Sequence, residues 1–263
     1  MLRERSEVTA IISVDDGEDQ RSRLAEFVSQ RAIIARSRKE AEAAIRDLEV
    51  DVAVVAGWYW IIPAEELGRR RFVGIHHSLL PRYRGGSPLV WALIRGEEWV
   101  GTSLFTLTDE PDAGPLWGQA RVPALDGYIA SVVAQCDAAA IKLMDVIFEA
   151  DASPKEQDQS QATVWPQRTP ADGVIDWTRP AVEIERWIRA QSRPYPGAYT
   201  YAATNRISVW RATASDITST ELPGYVRSGA VTCGDGRLLE VEDASEILQD
   251  GIQLTGPAAG RRS

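Results

Sequence analysis

The chain has 263 residues, of which 44% are hydrophobic and 25% charged, and its formal net charge at pH 7 is −9. This length predicts one large domain, or one domain with an appendage. Acidic residues outnumber basic ones by 38 to 29. This disfavours nucleic acid as a partner, because gripping phosphates requires a surplus of lysine and arginine.

No segment approaches the roughly 18 consecutive apolar residues that a membrane span needs. Residues 1–7 are mostly charged or polar and contain no apolar signal-peptide core. We therefore expect no membrane partner and a cytoplasmic location. The two cysteines, Cys136 and Cys233, are too few for a disulfide framework.

Residues 1–150 alternate between strand-like and helix-like segments. Strands are predicted at residues 8–14, 32–35, 52–56, 72–75, 102–107 and 116–122, and helices at 24–28, 38–48, 64–68, 89–94 and 128–150. The run 52–56 is apolar throughout, as expected for a strand that is covered on both sides. The alternation predicts an α/β fold with a Rossmann-like, mostly parallel sheet and helices on both faces.

The sequence becomes more polar after residue 150. Residues 151–195 are predicted to form a linker that contains one helix, at 182–191. Residues 196–263 are predicted to form a small C-terminal β-rich subdomain with a frayed tail. Its strands are predicted at 199–202, 207–211, 225–231 and 237–242.

The loop between residues 74 and 88 carries both histidines of the chain, His76 and His77. It follows a strand-like run and ends where Ser87 is predicted to cap a helix that begins at Pro88. In open α/β sheets, ligands bind at the carboxyl ends of strands. The loop is therefore the first candidate for a functional site.

The motif His76-x-Ser-Leu-Leu-Pro-x-Tyr-Arg-Gly85, followed by Asp112-Ala-Gly114, resembles the signature of the 10-formyltetrahydrofolate-dependent formyltransferases. This family includes methionyl-tRNA formyltransferase, glycinamide ribonucleotide transformylase and sugar N-formyltransferases. The resemblance extends from about residue 50 to about residue 212. It implies that residues 1–150 are the catalytic domain and that 10-formyltetrahydrofolate is the formyl donor. In the family pattern an Asn precedes the histidine by two positions, and here that position is Gly74.

His76 and Asp112 are the predicted catalytic pair. Formyl transfer to an amine needs a hydrogen-bond donor for the developing oxyanion and a group that takes the proton of the amine. A histidine can do either, since its ordinary pKa lies near neutrality. The resemblance implies that Asp112 orients and polarises His76 and relays protons. The alternative for His76 alone is a structural histidine at the end of a strand.

Gly74 removes the side chain that, by the resemblance, donates to the formyl oxygen. Losing one such donor typically costs about 10²–10³ in rate. Three explanations stay open: His77, Ser78 or a water supplies the hydrogen bond; the acceptor is a better nucleophile, such as a hydroxylamine; or the protein is a slow or inactive relative. His77 is not expected to bind a metal, because no other histidine lies elsewhere to complete a zinc site.

Two segments are implied by the resemblance to bind the folate. Trp58, Trp60, Ile61 and Ile62 would form an apolar wall for the pterin ring. The alternative is that they are core, which is as well supported for Trp58 and less favoured for the other three. The second segment, residues 122–127, contains Val122, Leu125 and Asp126. Its alternative is a plain strand-to-helix turn in which Asp126 is the helix N-cap.

Candidate acceptor contacts flank the catalytic loop. They are Ser78, Arg82, Tyr83, Arg84 and, for stacking on a base, Tyr195. Arginine would grip a pyrophosphate in bidentate fashion; the alternative is a solvated basic loop. No spacing typical of nicotinamide or ATP sites is present.

The predicted acceptor is a primary amine on a small molecule, and a nucleotide-linked amino sugar is favoured. Methionyl-tRNA is second, and a hydroxyornithine-type amine of siderophore assembly is third. A folate-binding protein without transferase chemistry is the alternative from another class. We also expect that the chain can form a homodimer.

Overall fold

The computed structural model describes residues 10–14, 32–58, 60–68, 70–149 and 151–256. The helix predicted at 24–28 and the start of the strand predicted at 8–14 lie outside the described residues. The α-helices are Arg38–Arg46, Ala64–Leu67, Pro88–Ile94, Ile129–Leu143 and Ala181–Gln191. Short 3₁₀ helices are Met144–Phe148, Gln159–Gln161 and Pro170–Gly173.

The strands are numbered in chain order over the described residues. They are β1 (Ile11–Val14), β2 (Ala32–Ala35), β3 (Val52–Ala56), β4 (Arg71–His76), β5 (Arg84–Gly85), β6 (Trp99–Thr106), β7 (Leu116–Pro123), β8 (Val164–Trp165), β9 (Ala198–Ala202), β10 (Asn205–Thr218), β11 (Val226–Arg227), β12 (Ala230–Thr232), β13 (Arg237–Ala244) and β14 (Leu254–Thr255).

The chain is divided into two compact units. The first holds the described residues of Met1–Arg84 with Gly101–Ala120 and Asp137–Thr163, and the second holds Gly85–Val100, Arg121–Cys136 and the described residues of Val164–Ser263. These units differ from the predicted division near residues 150 and 195. The segment 151–163, predicted as linker, is packed into the first unit, where Lys155 and Leu116 exchange backbone hydrogen bonds of 2.7 and 2.8 Å.

The first unit is built on a sheet with the strand order β3-β4-β6-β7. Strand β3 is parallel to β4, and β4 is antiparallel to β6. The pair β1 and β2 forms a second, parallel sheet. Val73, Leu104, Met144 and Ile147 fill the core beside β4 and β6. The apolar strands predicted from the sequence therefore form the expected α/β architecture, and the fold class is confirmed.

The second unit contains a six-stranded sheet in the order β11-β12-β13-β10-β9-β14. The helix Ala181–Gln191 places Ile184 and Ile188 in the same core as Val209 and Leu239. The predicted C-terminal β-rich subdomain is therefore confirmed.

Two local predictions in the second unit are wrong. The single strand predicted at 225–231 is a hairpin, because Ser228 and Gly229 have φ angles of 52° and 78° and form a tight turn between β11 and β12. Ser87 does not cap the helix Pro88–Ile94, since its own φ is 52°. Its hydroxyl accepts hydrogen bonds from the Arg168 backbone and the Gln167 amide instead.

The helix predicted at residues 128–150 is divided into two parts. Its α-helical part ends at Leu143, and Met144–Phe148 continues as a 3₁₀ helix. Ile129, Val132 and Cys136 are fully buried. Within the described ranges, no helix is both long and apolar enough to cross a membrane.

Candidate active site

His76 lies at the end of β4, and its ring is oriented by a backbone carbonyl. Its Nε2 is 2.8 Å from the carbonyl oxygen of Tyr83. A carbonyl only accepts hydrogen bonds, so Nε2 carries the proton in the neutral ring. Nδ1 then carries the lone pair of the neutral ring. It faces Oδ1 of Asp112 at 3.7 Å, and the two side chains are 11% and 20% exposed.

Asp112 occupies a turn of unusual backbone conformation, with a φ of 56°. Non-glycine residues reach this region only at some cost, and such residues concentrate at functional sites. Two positions on, Gly114 lies so close to Thr106 that a Cβ on it would overlap the carbonyl oxygen of Thr106. The Asp-x-Gly spacing is therefore required by the packing of this turn. The structure brings the two predicted catalytic side chains face to face.

The hydroxyl and the carbonyl of Ser78 both form hydrogen bonds within the protein. Its buried hydroxyl donates to the carbonyl of Arg82 at 2.7 Å. Its own carbonyl accepts from the hydroxyl of Ser103 at 2.6 Å. Ser103 also accepts from the Leu80 N–H, and from the amide of Gln119. Ser78 therefore stabilises the loop, and its contact with substrate stays a prediction.

Arg82, Tyr83 and Arg84 have different environments. Arg84 is only 3% exposed, and its guanidinium donates to the side-chain oxygens of Gln157 and Gln159. The Tyr83 ring is buried, whereas Arg82 is exposed with its guanidinium 5.4 Å from that ring. Arg82 alone of the three presents an exposed cation. Arg84 therefore has a structural role in this loop, and its contact with the acceptor stays a prediction.

His77 forms a separate hydrogen-bonded group. Its Nδ1 lies 3.2 Å from the hydroxyl of Thr102, and its Nε2 lies 3.0 Å from Oδ1 of Asp137. Both nitrogens therefore have partners within the protein, and a role of His77 as a substitute donor stays a prediction. Over the described part of the chain, no group of three or more His, Cys, Asp or Glu residues could hold a metal ion.

Phe105 fills the space beside Gly74. The two residues are directly opposite in the β4–β6 ladder. A Cβ on Gly74 would lie 2.6 and 2.7 Å from two atoms of the Phe105 ring and 2.9 Å from Leu107. A buried aromatic ring therefore stands where the family pattern has a polar side chain. Of the substitute donors considered from the sequence, His77 and Ser78 have hydrogen-bond partners within the protein.

The segment 58–62 divides between core and surface. Trp58 and Trp60 meet edge to face with ring centroids 5.6 Å apart. Ile62 is buried against Ile45 and Phe72, so it belongs to the core rather than to a ligand wall. Ile61 is 68% exposed.

Trp58 carries an unsatisfied polar atom. Its indole Nε1 is buried and has no hydrogen-bond partner among the described residues. Buried N–H groups are nearly always paired, so each exception calls for an explanation. Trp58 also packs against the core cluster of Ile45, Ile62 and Phe72, so its indole fits a core position as well as a ligand wall.

The remaining predicted contacts belong to the second unit. Val122 is buried, and Leu125 is half exposed with its carbonyl accepting from Arg189 at 2.8 Å. The carboxylate of Asp126 is 3.9 Å from the same guanidinium. The following helix begins at Ile129, so Asp126 is not its N-cap. Tyr195 is partly exposed, and partial burial raises the pKa of its phenol.

Sequence reasoning missed Gln157. This side chain is 5% exposed, and its amide donates to the carbonyls of Asp112 and Gly114 at 2.8 and 2.7 Å. It lies in the polar segment that was predicted to be a linker. No periodicity or motif marked it, because its partners are 43 and 45 positions away along the chain.

Family models match most of the chain. A model described as "Formyl transferase" matches residues 8–139, and one described as "Formyl transferase, C-terminal domain" matches residues 168–249.

Solved structures share the fold. A methionyl-tRNA formyltransferase from Clostridium thermocellum is 24% identical, with a TM-score of 0.62, over 79% of this chain and 93% of the other. A sugar N-formyltransferase from a Shewanella species is 19% identical, with a TM-score of 0.61, over 78% and 85%. HypX from Aquifex aeolicus, solved with tetrahydrofolic acid, is 19% identical, with a TM-score of 0.63, over 87% of this chain. The match spans only 43% of HypX.

Proposed function

Because the chain belongs to the formyl transferase family, we propose that it is an N-formyltransferase acting on a primary amine of a small molecule. The transferase identity predicted from the sequence is confirmed, and 10-formyltetrahydrofolate is the formyl donor of this family. The observation that carries the proposal for this chain is the His76–Asp112 pair, with Nδ1 and Oδ1 3.7 Å apart.

When bound, the folate would supply the formyl carbon. Nδ1 of His76 takes a proton from the attacking amine of the acceptor and returns a proton to the departing nitrogen of the donor. The carboxylate of Asp112 stabilises the imidazolium between these two transfers. The carbonyl of Tyr83 holds the proton on Nε2, which keeps Nδ1 directed at Asp112. One C–N bond forms as another breaks, and one proton moves from acceptor to donor.

Trp58, Trp60 and Ile61 are proposed to hold the pterin ring. The exposed side chain of Ile61 and the orphan N–H of Trp58 support this assignment. Val122, Leu125 and Asp126 are proposed as a second contact, as the resemblance implies. Its support is the partly exposed loop of Leu125 and Asp126.

A nucleotide-linked amino sugar is the favoured acceptor. The net charge of −9 disfavours transfer RNA, and the exposed guanidinium of Arg82 suits a phosphate. A second candidate is a hydroxyornithine-type amine. The Phe105 ring beside Gly74 favours it, because a stronger nucleophile needs less help from a side-chain donor at the formyl oxygen.

The test is a panel of acceptors incubated with the protein and 10-formyltetrahydrofolate. The panel contains nucleotide-linked amino sugars, a hydroxyornithine and methionyl-tRNA, and mass spectrometry detects the addition of one formyl group. We expect formylation of a nucleotide-linked amino sugar that is absent with the His76→Asn variant. Formylation of methionyl-tRNA alone would overturn the acceptor assignment. Folate binding without formylation of any amine would overturn the proposed activity.

A further inference from the structure

Gln157 makes four hydrogen bonds with one buried amide. Its oxygen accepts from Nε and an Nη of Arg84, at 3.2 and 2.7 Å. Its nitrogen donates to the carbonyls of Asp112 and Gly114, at 2.8 and 2.7 Å. A primary amide has two N–H donors and two acceptor lone pairs, so its capacity is completely used. Replacing it leaves several buried polar groups without a partner.

These four bonds join the two loops that carry the catalytic pair. On one side, Arg84 directly follows Tyr83, whose carbonyl orients the His76 ring. On the other side, Gln157 binds the carbonyl of Asp112 itself, in the residue whose φ is 56°. A backbone conformation of this kind persists only where the surroundings determine it. The amide of Gln157 contributes to that constraint through the carbonyls of Asp112 and Gly114.

We propose that Gln157 is a positioning residue that sets the separation between Nδ1 of His76 and Oδ1 of Asp112. This inference rests on the proposed function, because it gives the residue a role in the proton transfers of that reaction. A displacement of about 1 Å in a catalytic group can lower the rate about 10²-fold. Gln157 touches neither reacting group directly and acts through the backbone of Asp112.

Two variants test the hydrogen bonds of Gln157 to Arg84 separately from those to the Asp112 turn. Gln157→Met removes all four hydrogen bonds while keeping a side chain of similar length. Gln157→Glu keeps acceptors for Arg84 but removes both N–H donors to Asp112 and Gly114. We expect kcat to fall about 10- to 100-fold in both variants, with little change in KM. A kcat close to wild type for Gln157→Glu would overturn the proposal, because it would show that only the Arg84 contact matters.

Gln159 provides the matched control. Its side-chain oxygen accepts from the same guanidinium of Arg84 at 2.9 Å, and the residue is exposed. No hydrogen bond joins it to the Asp112 turn among the described residues. We expect Gln159→Met to keep a kcat close to wild type. A loss as large as that of Gln157→Met would assign the effect to Arg84 and contradict the inference.

A double-mutant cycle with Asp112→Asn distinguishes positioning from general destabilisation. If Gln157 acts through Asp112, then Gln157→Met causes no further loss of kcat once the carboxylate is gone. A purely structural role predicts the same fold-loss in both backgrounds, which would overturn the proposal.

NMR tests the positioning role of Gln157 without depending on enzyme activity. The chain has two histidines, so the two imidazole signals can be followed by NMR and assigned with His77→Ala. We expect Gln157→Met and Asp112→Asn to shift the His76 signal in the same direction, whereas Gln159→Met leaves it in place. An unmoved His76 signal in Gln157→Met would refute the positioning role of Gln157. If the signal moves but no amine is formylated by the wild type, the positioning role of Gln157 is supported and the proposed function is wrong.

Discussion

At the scale of single residues, Gly74 is constrained by its partner across the sheet. The Phe105 ring is buried and already occupies the space that any side chain at position 74 would enter. Inserting atoms into a well-packed core displaces its neighbours and is destabilising. The Phe105 ring on β6 therefore prevents an amide side chain at position 74 of β4 from fitting. Replacing Gly74 alone does not restore the donor.

Gly74→Asn is expected to destabilise the protein by about 1–3 kcal/mol, because the new side chain overlaps Phe105 and Leu107. Thermal unfolding measures the effect. Gly229→Asn is the matched control, since an added Cβ there meets no atom within 4 Å and asparagine tolerates a positive φ. A Gly74→Asn protein as stable as wild type, with faster turnover, would contradict this explanation of the glycine.

His77 is expected to contribute to stability rather than to chemistry. His77→Ala leaves the fully buried hydroxyl of Thr102 without its ring partner. The expected loss is about 1–3 kcal/mol, measured by urea unfolding, with kcat close to wild type. Asp137→Ala removes the more exposed partner and should cost less. A large fall in kcat for His77→Ala at normal stability would show that His77 does act in the reaction.

At the scale of elements, the Asp112 turn depends on Gly114. A Cβ on Gly114 would overlap the backbone carbonyl of Thr106, which is part of β6 and cannot move easily. We therefore expect Gly114→Ala to displace the turn and to lower both activity and melting temperature. Gly118→Ala is the control, because its added Cβ lies at an ordinary 3.4 Å from Leu143. Unchanged activity in Gly114→Ala would show that the position of the turn does not matter.

The sequence predicted the catalytic elements better than their surroundings. The motif named His76 and the distant Asp112, which the structure brings to 3.7 Å of each other, and apolar runs identified the strands of the first unit. Polar side chains were assigned less well, because their partners lie far along the chain. Arg84 binds Gln157 across 73 positions, and His77 binds Asp137 across 60. Neither distance is readable from spacing or composition, so the sequence did not reveal these structural contacts.

At the scale of the whole molecule, the burial of both thiols gives a probe of the folded state. Cys136 and Cys233 are buried, and desolvation raises the pKa of Cys233 to about 12. Since the thiolate is the reactive form, we expect neither cysteine to react with a thiol reagent at pH 8 until the protein unfolds. Stoichiometric labelling of Cys233 in the native protein would contradict the burial described here.

The most direct test of the account is the turnover of Asp112→Asn with 10-formyltetrahydrofolate and the acceptor identified from the panel. Removing the carboxylate beside Nδ1 of His76 is expected to lower kcat about 10²- to 10⁴-fold, while folate affinity stays near wild type. Asp109→Asn, an exposed residue on the approach to the same turn, is the control and should keep full activity. Wild-type turnover in Asp112→Asn would contradict the claim that this pair carries the proton.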